Sequence, residues 1–79
     1  MRSEIFKLER EELLETVKEG EVFEVKEYFL PRTCYYVLGR AYAMSKNFPK
    51  DERIKSDKGK VLGVEKTPKG FYVTVGFDE

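Results

Sequence analysis

The sequence predicts an α+β fold, a two-layer sandwich in which two helices cover one face of an antiparallel sheet. Three observations point to it: residues 8–19 are rich in Glu and Leu, apolar residues recur at helical spacing within 33–46, and apolar and polar residues alternate over 71–77. Together they predict the element order α-β-α-β-β in a single domain spanning residues 1–79, with an extra short strand at 53–56 as an extension of the sheet.

The first predicted helix covers residues 8–19. Leu13, Leu14 and Val17 form a narrow apolar stripe at helical spacing, and most of the remaining residues are good helix formers. Glutamates near the start and a lysine near the end suit the helix dipole. Gly20 stands where a glycine commonly ends a helix, so the helix is predicted to stop there.

The first predicted strand covers residues 21–29. Phe23, Val25 and Phe29 share one face under the two-residue period of a strand. Glu27 falls on the same apolar face, so it is predicted to lie at a sheet edge or near the end of the strand.

Residues 33–46 carry conflicting signals. Side chains from Cys34 to Ser45 recur at the spacing of one helix face. Against a helix, the run Cys-Tyr-Tyr-Val-Leu favours a strand, and Gly39 is unfavourable in a helix interior. A helix is predicted because no alternation survives past Leu38; if the segment is a strand, the alternative fold is a small SH3-like β-barrel with an N-terminal helix.

The predicted strand–helix–strand–strand order from residue 21 onward is similar to that of dodecin, a small flavin-storing assembly. The resemblance concerns the fold alone, because dodecin stacks its flavin on a tryptophan and this chain contains no tryptophan. No cofactor is therefore predicted.

The C-terminal hairpin is the clearest pattern in the sequence. Residues 67–70 (Thr-Pro-Lys-Gly) fit a type I turn followed by a left-handed glycine, and residues 56–59 (Ser-Asp-Lys-Gly) fit the same turn. The strands beside the first of these turns are predicted at 60–66 and 71–77. The phenylalanine and valine side chains of the last strand are predicted to face the helices, and the opposite face keeps Tyr72, Thr74 and Gly76.

Composition restricts the chemistry that the chain can perform. Its 79 residues include 15 basic and 15 acidic side chains, one cysteine and no histidine, so the commonest general base and the commonest metal ligand are missing. Cys34 has no histidine to activate it and is predicted to be a small buried apolar residue. No metal site is expected, and the protein is predicted not to be an enzyme.

Compartment and stability can also be anticipated. A lone cysteine cannot form an internal disulfide, which favours a reducing compartment, and no apolar run is long enough to span a membrane. A cytoplasmic protein that does not enter a membrane is therefore predicted. A charged content of 38%, with one asparagine and no glutamine, is typical of hyperthermophile proteins, so we expect a melting temperature well above about 50 °C.

Charge is unevenly divided along the chain. Residues 1–29 carry five basic and nine acidic side chains, a net −4, whereas residues 30–79 carry ten and six, a net +4. A basic C-terminal portion is typical of polyanion binding, but lysines at turns and strand ends also prevent sheet edges from pairing. The second interpretation is favoured because a neutral total lacks the long-range field of polyanion binders.

The candidate binding surface is the second face of the predicted sheet, where tyrosines stand beside glycines with lysines at the rim. Exposed tyrosine-bearing faces are typical of interfaces, and we expect the chain to form homo-oligomers through this one. The alternative function is nucleic-acid binding, with bases stacked on the tyrosines. The residues of this surface are Tyr28, Tyr72, Thr74, Val61, Gly63, Gly76, Lys60, Lys66 and Lys69.

Overall fold

Seven antiparallel strands and two short 3₁₀ helices make up the computed structural model, which describes residues 1–79. The strands are β1 (Arg2–Leu8), β2 (Val22–Phe29), β3 (Thr33–Leu38), β4 (Ala43–Ser45), β5 (Phe48–Pro49), β6 (Lys58–Thr67) and β7 (Gly70–Phe77), and the 3₁₀ helices are Glu11–Glu15 and Lys50–Glu52. The predicted α+β sandwich is therefore wrong, because more than half of the chain is strand and neither helix exceeds five residues. The structure contains no helix with the length and apolar character needed to cross a membrane.

The sheet closes on itself into a barrel. β2, β3 and β4 follow one another as antiparallel neighbours, and β1 lies beside β4, which is a Greek-key arrangement. The hairpin of β6 and β7 fills the space between β2 and β1, and the pairing of β2 with β3 completes the ring. Closure removes most of the free sheet edges, where backbone groups would otherwise be open to other chains.

The N-terminal segment is a strand followed by a short 3₁₀ helix, and the helix predicted over residues 8–19 is wrong. β1 pairs with β7 on one side and with β4 on the other, and Phe6 points into the barrel. Leu13 and Leu14 are half-buried and Val17 is fully buried against the core. The apolar stripe thus belongs to the core. A helix of this length is marginal by itself and needs tertiary packing along its whole apolar face, which the barrel does not provide.

Residues 33–46 form the hairpin of β3 and β4, so the second predicted helix is also wrong. The turn between the strands places Gly39 and Ala41 in the left-handed region, with φ of 58° and 60°. A Cβ at Gly39 would stand 2.5 Å from a ring carbon of Tyr42, so glycine is required there. Val37 points outward yet is only 7% exposed, which explains why no alternation of polar and apolar residues marks the strand.

The strand interpretation of this segment is the correct one, and the closed sheet is partly compatible with the SH3-like barrel that accompanied it. The N-terminal helix of that alternative is absent. The chain also lacks the strand–helix–strand–strand order of dodecin, because residues 33–46 form a hairpin where that order requires a helix.

The strand predicted at 21–29 and the C-terminal hairpin are confirmed. β6 and β7 pair from Lys60 opposite Gly76 to Thr67 opposite Gly70, and Gly70 has the predicted positive φ, 130°. The valines and phenylalanines of β7 point inward, but the other strands of the barrel cover them instead of helices. These residues are Phe71, which is half-buried, and Val73, Val75 and Phe77, which are fully buried.

The turn predicted at 56–59 and the short strand at 53–56 are not formed. β6 already begins at Lys58, and Gly59 lies within it opposite Phe23. Residues 53–57 instead run as an irregular segment across one end of the barrel. Ile54 in this segment is 3% exposed, so the segment closes the core at that end.

Candidate functional site

Val61 belongs to the core and not to the predicted binding surface, so its predicted exposure is wrong. β6 pairs Val61 with Val75, then skips Leu62 and pairs Gly63 with Thr74. This β-bulge shifts the alternation by one residue, so that Val61 points inward and Gly63 outward, although a regular strand would place both on one face. Val61 is fully buried as a result.

The two glycines of the predicted surface differ in their surroundings. Gly63 has open space above it, with no atom within 4 Å of the position that a Cβ would take. Gly76 is buried, because Met1 Sδ and Leu62 Cδ1 lie 2.8 and 3.0 Å from its Cβ position. Met1 and Leu62 therefore cover Gly76 in a small apolar cluster, and Gly76 is not an exposed part of the predicted binding surface.

Tyr28 and Tyr72 both lie on outward-facing positions, but the structure does not bring them together. β2 and β7 are separated by β6 on one side of the ring and by β3, β4 and β1 on the other, so the two tyrosines do not share one flat face. Tyr28 instead stacks on Tyr35 of β3, with ring centroids 5.2 Å apart and an interplanar angle of 13°.

The three predicted rim lysines are dispersed as well. Lys60 points outward between Val22 of β2 and Gly76 of β7. Lys66 lies near the tip of the β6–β7 hairpin, with its Nζ 5.9 Å from the centroid of the Phe71 ring. Lys69 is exposed in the turn itself. The structure does bring five of the nine predicted residues together on the outer face of the β6–β7 hairpin: Lys60, Gly63, Tyr72, Thr74 and Gly76. The other four lie in the core, on β2 or at the hairpin tip, so the nine do not form one site.

A different set of outward side chains forms a continuous surface across β7, β1 and β4. The register places Tyr72 opposite Lys7, Lys7 opposite Met44, and Thr74 opposite Ile5. Ile5 is 61% exposed and Met44 41%. Two shallow depressions of about 350 and 340 Å³ lie here and share two lining residues. We call this surface the β1 patch; its residues are Ile5, Lys7, Met44, Lys46, Tyr72 and Thr74.

The charges of the β1 patch have one sign. Lys7 and Lys46 are exposed within it. Glu4 lines one of the two depressions, where its carboxylate forms a salt bridge with the Arg2 guanidinium at 2.8 Å. Glu65 flanks the patch on β6, opposite the tyrosine. The patch itself is therefore a basic and partly apolar surface.

The aromatic surface continues from the β1 patch onto β3 and β2. Met44 stands opposite Val37, and Val37 stands opposite Lys26. Tyr35 lies two residues before Val37 on the same face of β3 and stacks on Tyr28. A third lysine and a pair of stacked tyrosines thus adjoin the patch.

Little in the amino-acid sequence indicates the β1 patch. Ile5 and Lys7 precede the predicted first helix, and Met44 and Lys46 fall in or next to the second. The alternation of Ile5 and Lys7 with buried Phe6 is the available signal, and it is too short to stand out beside the Glu-rich residues that follow.

A second concentration of polar side chains, which we call the Glu27 cluster, consists of Glu27, Tyr36 and Arg53. The Tyr36 hydroxyl donates to a Glu27 carboxylate oxygen at 2.5 Å and accepts from the Ile54 amide at 2.8 Å. The Arg53 guanidinium donates to both carboxylate oxygens, at 2.9 and 2.7 Å. Glu27 lies in the part of β2 that pairs with β3 alone, in agreement with its predicted edge position.

These contacts shift two pKa values in opposite directions. Hydrogen bonds from Arg53 lower the pKa of Glu27, and the bond from Tyr36 adds to this effect against the opposing influence of burial. Burial raises the pKa of Tyr36, and its hydrogen bond to Glu27 raises it further. Both carboxylate oxygens and the hydroxyl are already occupied, whereas an acid–base catalyst needs a position open to substrate. The Glu27 cluster therefore fits a structural role.

The Glu27 cluster is expected to make stability fall in both acid and alkali. Because the pKa of Glu27 is lowered below its ordinary 4.5, its contribution is complete above about pH 4.5 and is lost as the pH falls through the lower folded-state value. Because the pKa of Tyr36 is raised above its ordinary 10.0, its contribution is complete below about pH 10 and is lost as the pH rises toward the raised value.

Urea midpoints measured across the pH range test this expectation. Glu27→Gln should lower the plateau and flatten the acid limb, and Tyr36→Phe should flatten the alkaline limb. An acid limb of Glu27→Gln as steep as that of the wild type would show that other carboxylates control acid unfolding.

Cys34 is fully buried, as predicted, but on β3 and not on a helix. Its Sγ lies 3.5 Å from the Tyr36 hydroxyl. The structure places no group of three His, Cys, Asp or Glu side chains where they could hold a metal ion.

Comparisons with protein-family models, with curated proteins and with solved structures give no match to this chain. Its function therefore has to be inferred from its own surfaces. Of the two concentrations of side chains, the Glu27 cluster is satisfied internally, whereas the β1 patch presents exposed apolar and cationic groups to the surroundings.

Proposed function

We propose that this protein is a small non-enzymatic binding module whose β1 patch binds single-stranded nucleic acid. The observation that carries the proposal is that Lys7 and Lys46 lie among exposed Ile5 and Met44 and the half-buried Tyr72. The nearby Glu4 carboxylate is paired with Arg2. Ammonium groups bind phosphates, and aromatic and apolar side chains accept the face of an unpaired base.

The neighbouring strands support a ligand longer than one nucleotide. Tyr28 and Tyr35 present a second aromatic surface, and Lys26 a third cation, on β2 and β3. Strands lie about 4.8 Å apart, so the surface from β1 across β4 and β3 to β2 spans roughly 14 Å. A segment of a few unpaired nucleotides is the ligand that fits this span, whereas a duplex hides its base faces.

Homo-oligomerisation through the sheet, the other function expected from the sequence, is poorly suited to the β1 patch. A two-fold interface brings each patch against a copy of itself. Lys7 and Lys46 would then face lysines of the second copy, and like charges facing each other across an interface are unfavourable. Self-association is better assigned to a wall of the barrel that carries both signs of charge.

A cytoplasmic location is part of the proposal. It is supported by the single cysteine, because Cys34 is buried and unpaired, as a structural thiol can be in a reducing compartment.

Binding is expected to weaken steeply as salt rises. Two to three phosphate contacts give a slope of about −1.4 to −2.1 for log K against log salt on a single strand. Lys7→Glu should weaken binding about tenfold or more at low salt, and Tyr72→Ala should cost about 1–3 kcal/mol if a base stacks on the ring. Fluorescence anisotropy with labelled single-stranded RNA and DNA measures all three effects.

The matched control is Lys18→Glu, which makes the same change of charge on an exposed residue between the first 3₁₀ helix and β2. It should leave the affinity nearly unchanged. The proposal fails if the wild-type protein binds neither nucleic acid at low salt, or if Lys18→Glu weakens binding as much as Lys7→Glu does.

A further inference from the structure

We propose that a second copy of this chain docks on the wall formed by β2 and β6. In the ring of six paired strands, β6 lies three strands from β4 and β2 lies three strands from β1. This wall therefore faces away from β1 and β4, the strands that lead to or carry Ile5, Lys7, Met44 and Lys46 of the β1 patch. A dimer formed here leaves those four residues of each copy exposed.

The centre of the wall is an apolar surface that the β-bulge shapes. Leu62, the residue without a partner in the β6–β7 register, points outward and is 37% exposed. It lies with Met1 over Gly76, where the lack of a side chain lets both lie close to the sheet. Val22, on the adjacent strand β2, is 56% exposed. Much of the apolar surface of Met1 and Val22, and about a third of that of Leu62, therefore remains exposed.

The charges around this centre are of both signs. Lys60 stands opposite Val22, and Lys58 stands opposite Glu24, so that the β6 side of the wall is basic while β2 contributes a carboxylate. A two-fold axis through the wall can place Lys60 of one copy beside Glu24 of the second copy, and the reverse contact follows by symmetry.

This self-complementarity is what selects a second copy as the occupant. A strongly acidic or strongly basic partner would require a surface with one sign of charge. The β1 patch is such a surface, and this wall is not. A wall that combines an apolar centre with charges of both signs can instead pair with its own two-fold image. The bulge and Gly76 also determine the shape of this surface. Leu62 is the unpaired bulge residue, and it lies close to the sheet because Gly76 has no side chain.

Sedimentation equilibrium and native mass spectrometry of the full chain, without nucleic acid, test the proposal. The wild type is expected to dimerise, and Leu62→Lys is expected to raise the dimer dissociation constant at least tenfold. The matched control is Met44→Lys, which places the same cation at a residue of similar exposure, 41% against 37%, on the β1 patch. Circular dichroism establishes that each variant is folded.

A charge exchange tests the pairing itself. Lys60→Glu should weaken the dimer, and the double variant Lys60→Glu with Glu24→Lys should restore most of the lost affinity. A monomeric wild type at high micromolar concentration, a dimer that survives Leu62→Lys, or a dimer broken by Met44→Lys alone would each overturn the proposal, and a double variant as weak as the single one would refute the Lys60–Glu24 contact.

The result is separable from nucleic-acid binding. A monomeric Leu62→Lys variant should keep the affinity of each copy for a short single strand, since the β1 patch is intact. It should lose the extra affinity that two linked patches give on a long strand.

Discussion

Tyr36→Phe is expected to lower the free energy of unfolding by about 3 kcal/mol although it removes a single oxygen atom. Tyr36 is 1% exposed, and its ring packs edge-on against Phe48 with centroids 5.9 Å apart, so the ring itself can stay in place. The loss comes from the two partners of the hydroxyl. The Ile54 amide is left as a buried unpaired donor, and the Glu27 carboxylate loses a donor.

The expected loss is large because leaving a buried hydrogen-bonding group unpaired costs more free energy than a typical hydrogen bond contributes. A typical net contribution is near 1 kcal/mol, but a buried donor left without a partner costs about 1–3 kcal/mol and a bond to a charged group contributes about 1.5–3 kcal/mol. Ile54 is 3% exposed, and its amide has the Tyr36 hydroxyl as its acceptor.

Urea denaturation at neutral pH measures this effect, and Tyr35→Phe is the matched control. Tyr35 lies on the outer face, where it stacks on Tyr28 and is half-buried. Its loss of a hydroxyl should cost less than about 0.5 kcal/mol. A Tyr36→Phe variant within that margin of the wild type would mean that Glu27 and the Ile54 amide find other partners.

The segments that the sequence predicted correctly are those whose pattern is local. β2 and the β6–β7 hairpin show alternation over seven or more residues, and their turn at 67–70 carries its own Pro-Lys-Gly signal. The sequence shows Glu27 as a charged residue on an otherwise apolar strand face. A carboxylate there needs hydrogen-bond donors, and the structure supplies one. That partner, Arg53, comes from a distant segment, so its identity could not be predicted.

The segments that were mispredicted depend on distant partners. Phe6 of β1 stands opposite Ser45 of β4 and Val73 of β7, so the strand exists because of residues far along the chain. Viewed alone, the N-terminal part shows helix formers. In the β3–β4 hairpin, Val37 is buried on the outer face, which removes the alternation that would have marked a strand.

The candidate site was mispredicted for the same reason. Which outward side chains lie together depends on the order of strands around the ring, and this order places β1 between β7 and β4. Val61 and Gly63 illustrate a second cause, because a single bulge residue reverses the face of everything beyond it and leaves no mark in the composition of the strand.

Gly59→Ala is expected to destabilise the fold by about 3 kcal/mol, because Gly59 is where the interior of the barrel has no room for a methyl group. A Cβ at this position would lie 2.8 Å from Cε1 of Phe77 and closer still to a methyl carbon of Val75. Both of those residues are fully buried, and the Phe77 ring also packs against Phe6 with centroids 6.1 Å apart. The ring can therefore move only by disturbing the rest of the core.

The urea midpoint and the melting temperature of Gly59→Ala measure this cost against Gly63→Ala, the matched control on the same strand. Gly63 has open space above its backbone and lacks the positive φ that disfavours side chains. Alanine there should be neutral or stabilising by about 0.5–1 kcal/mol, because it lowers the conformational entropy of the unfolded chain. The combination Gly59→Ala with Phe77→Leu should recover part of the loss, because the smaller side chain frees the space that the methyl group needs. Equal effects of the two glycine substitutions would contradict the inward position of Gly59 and with it the register of β6 against β2 and β7.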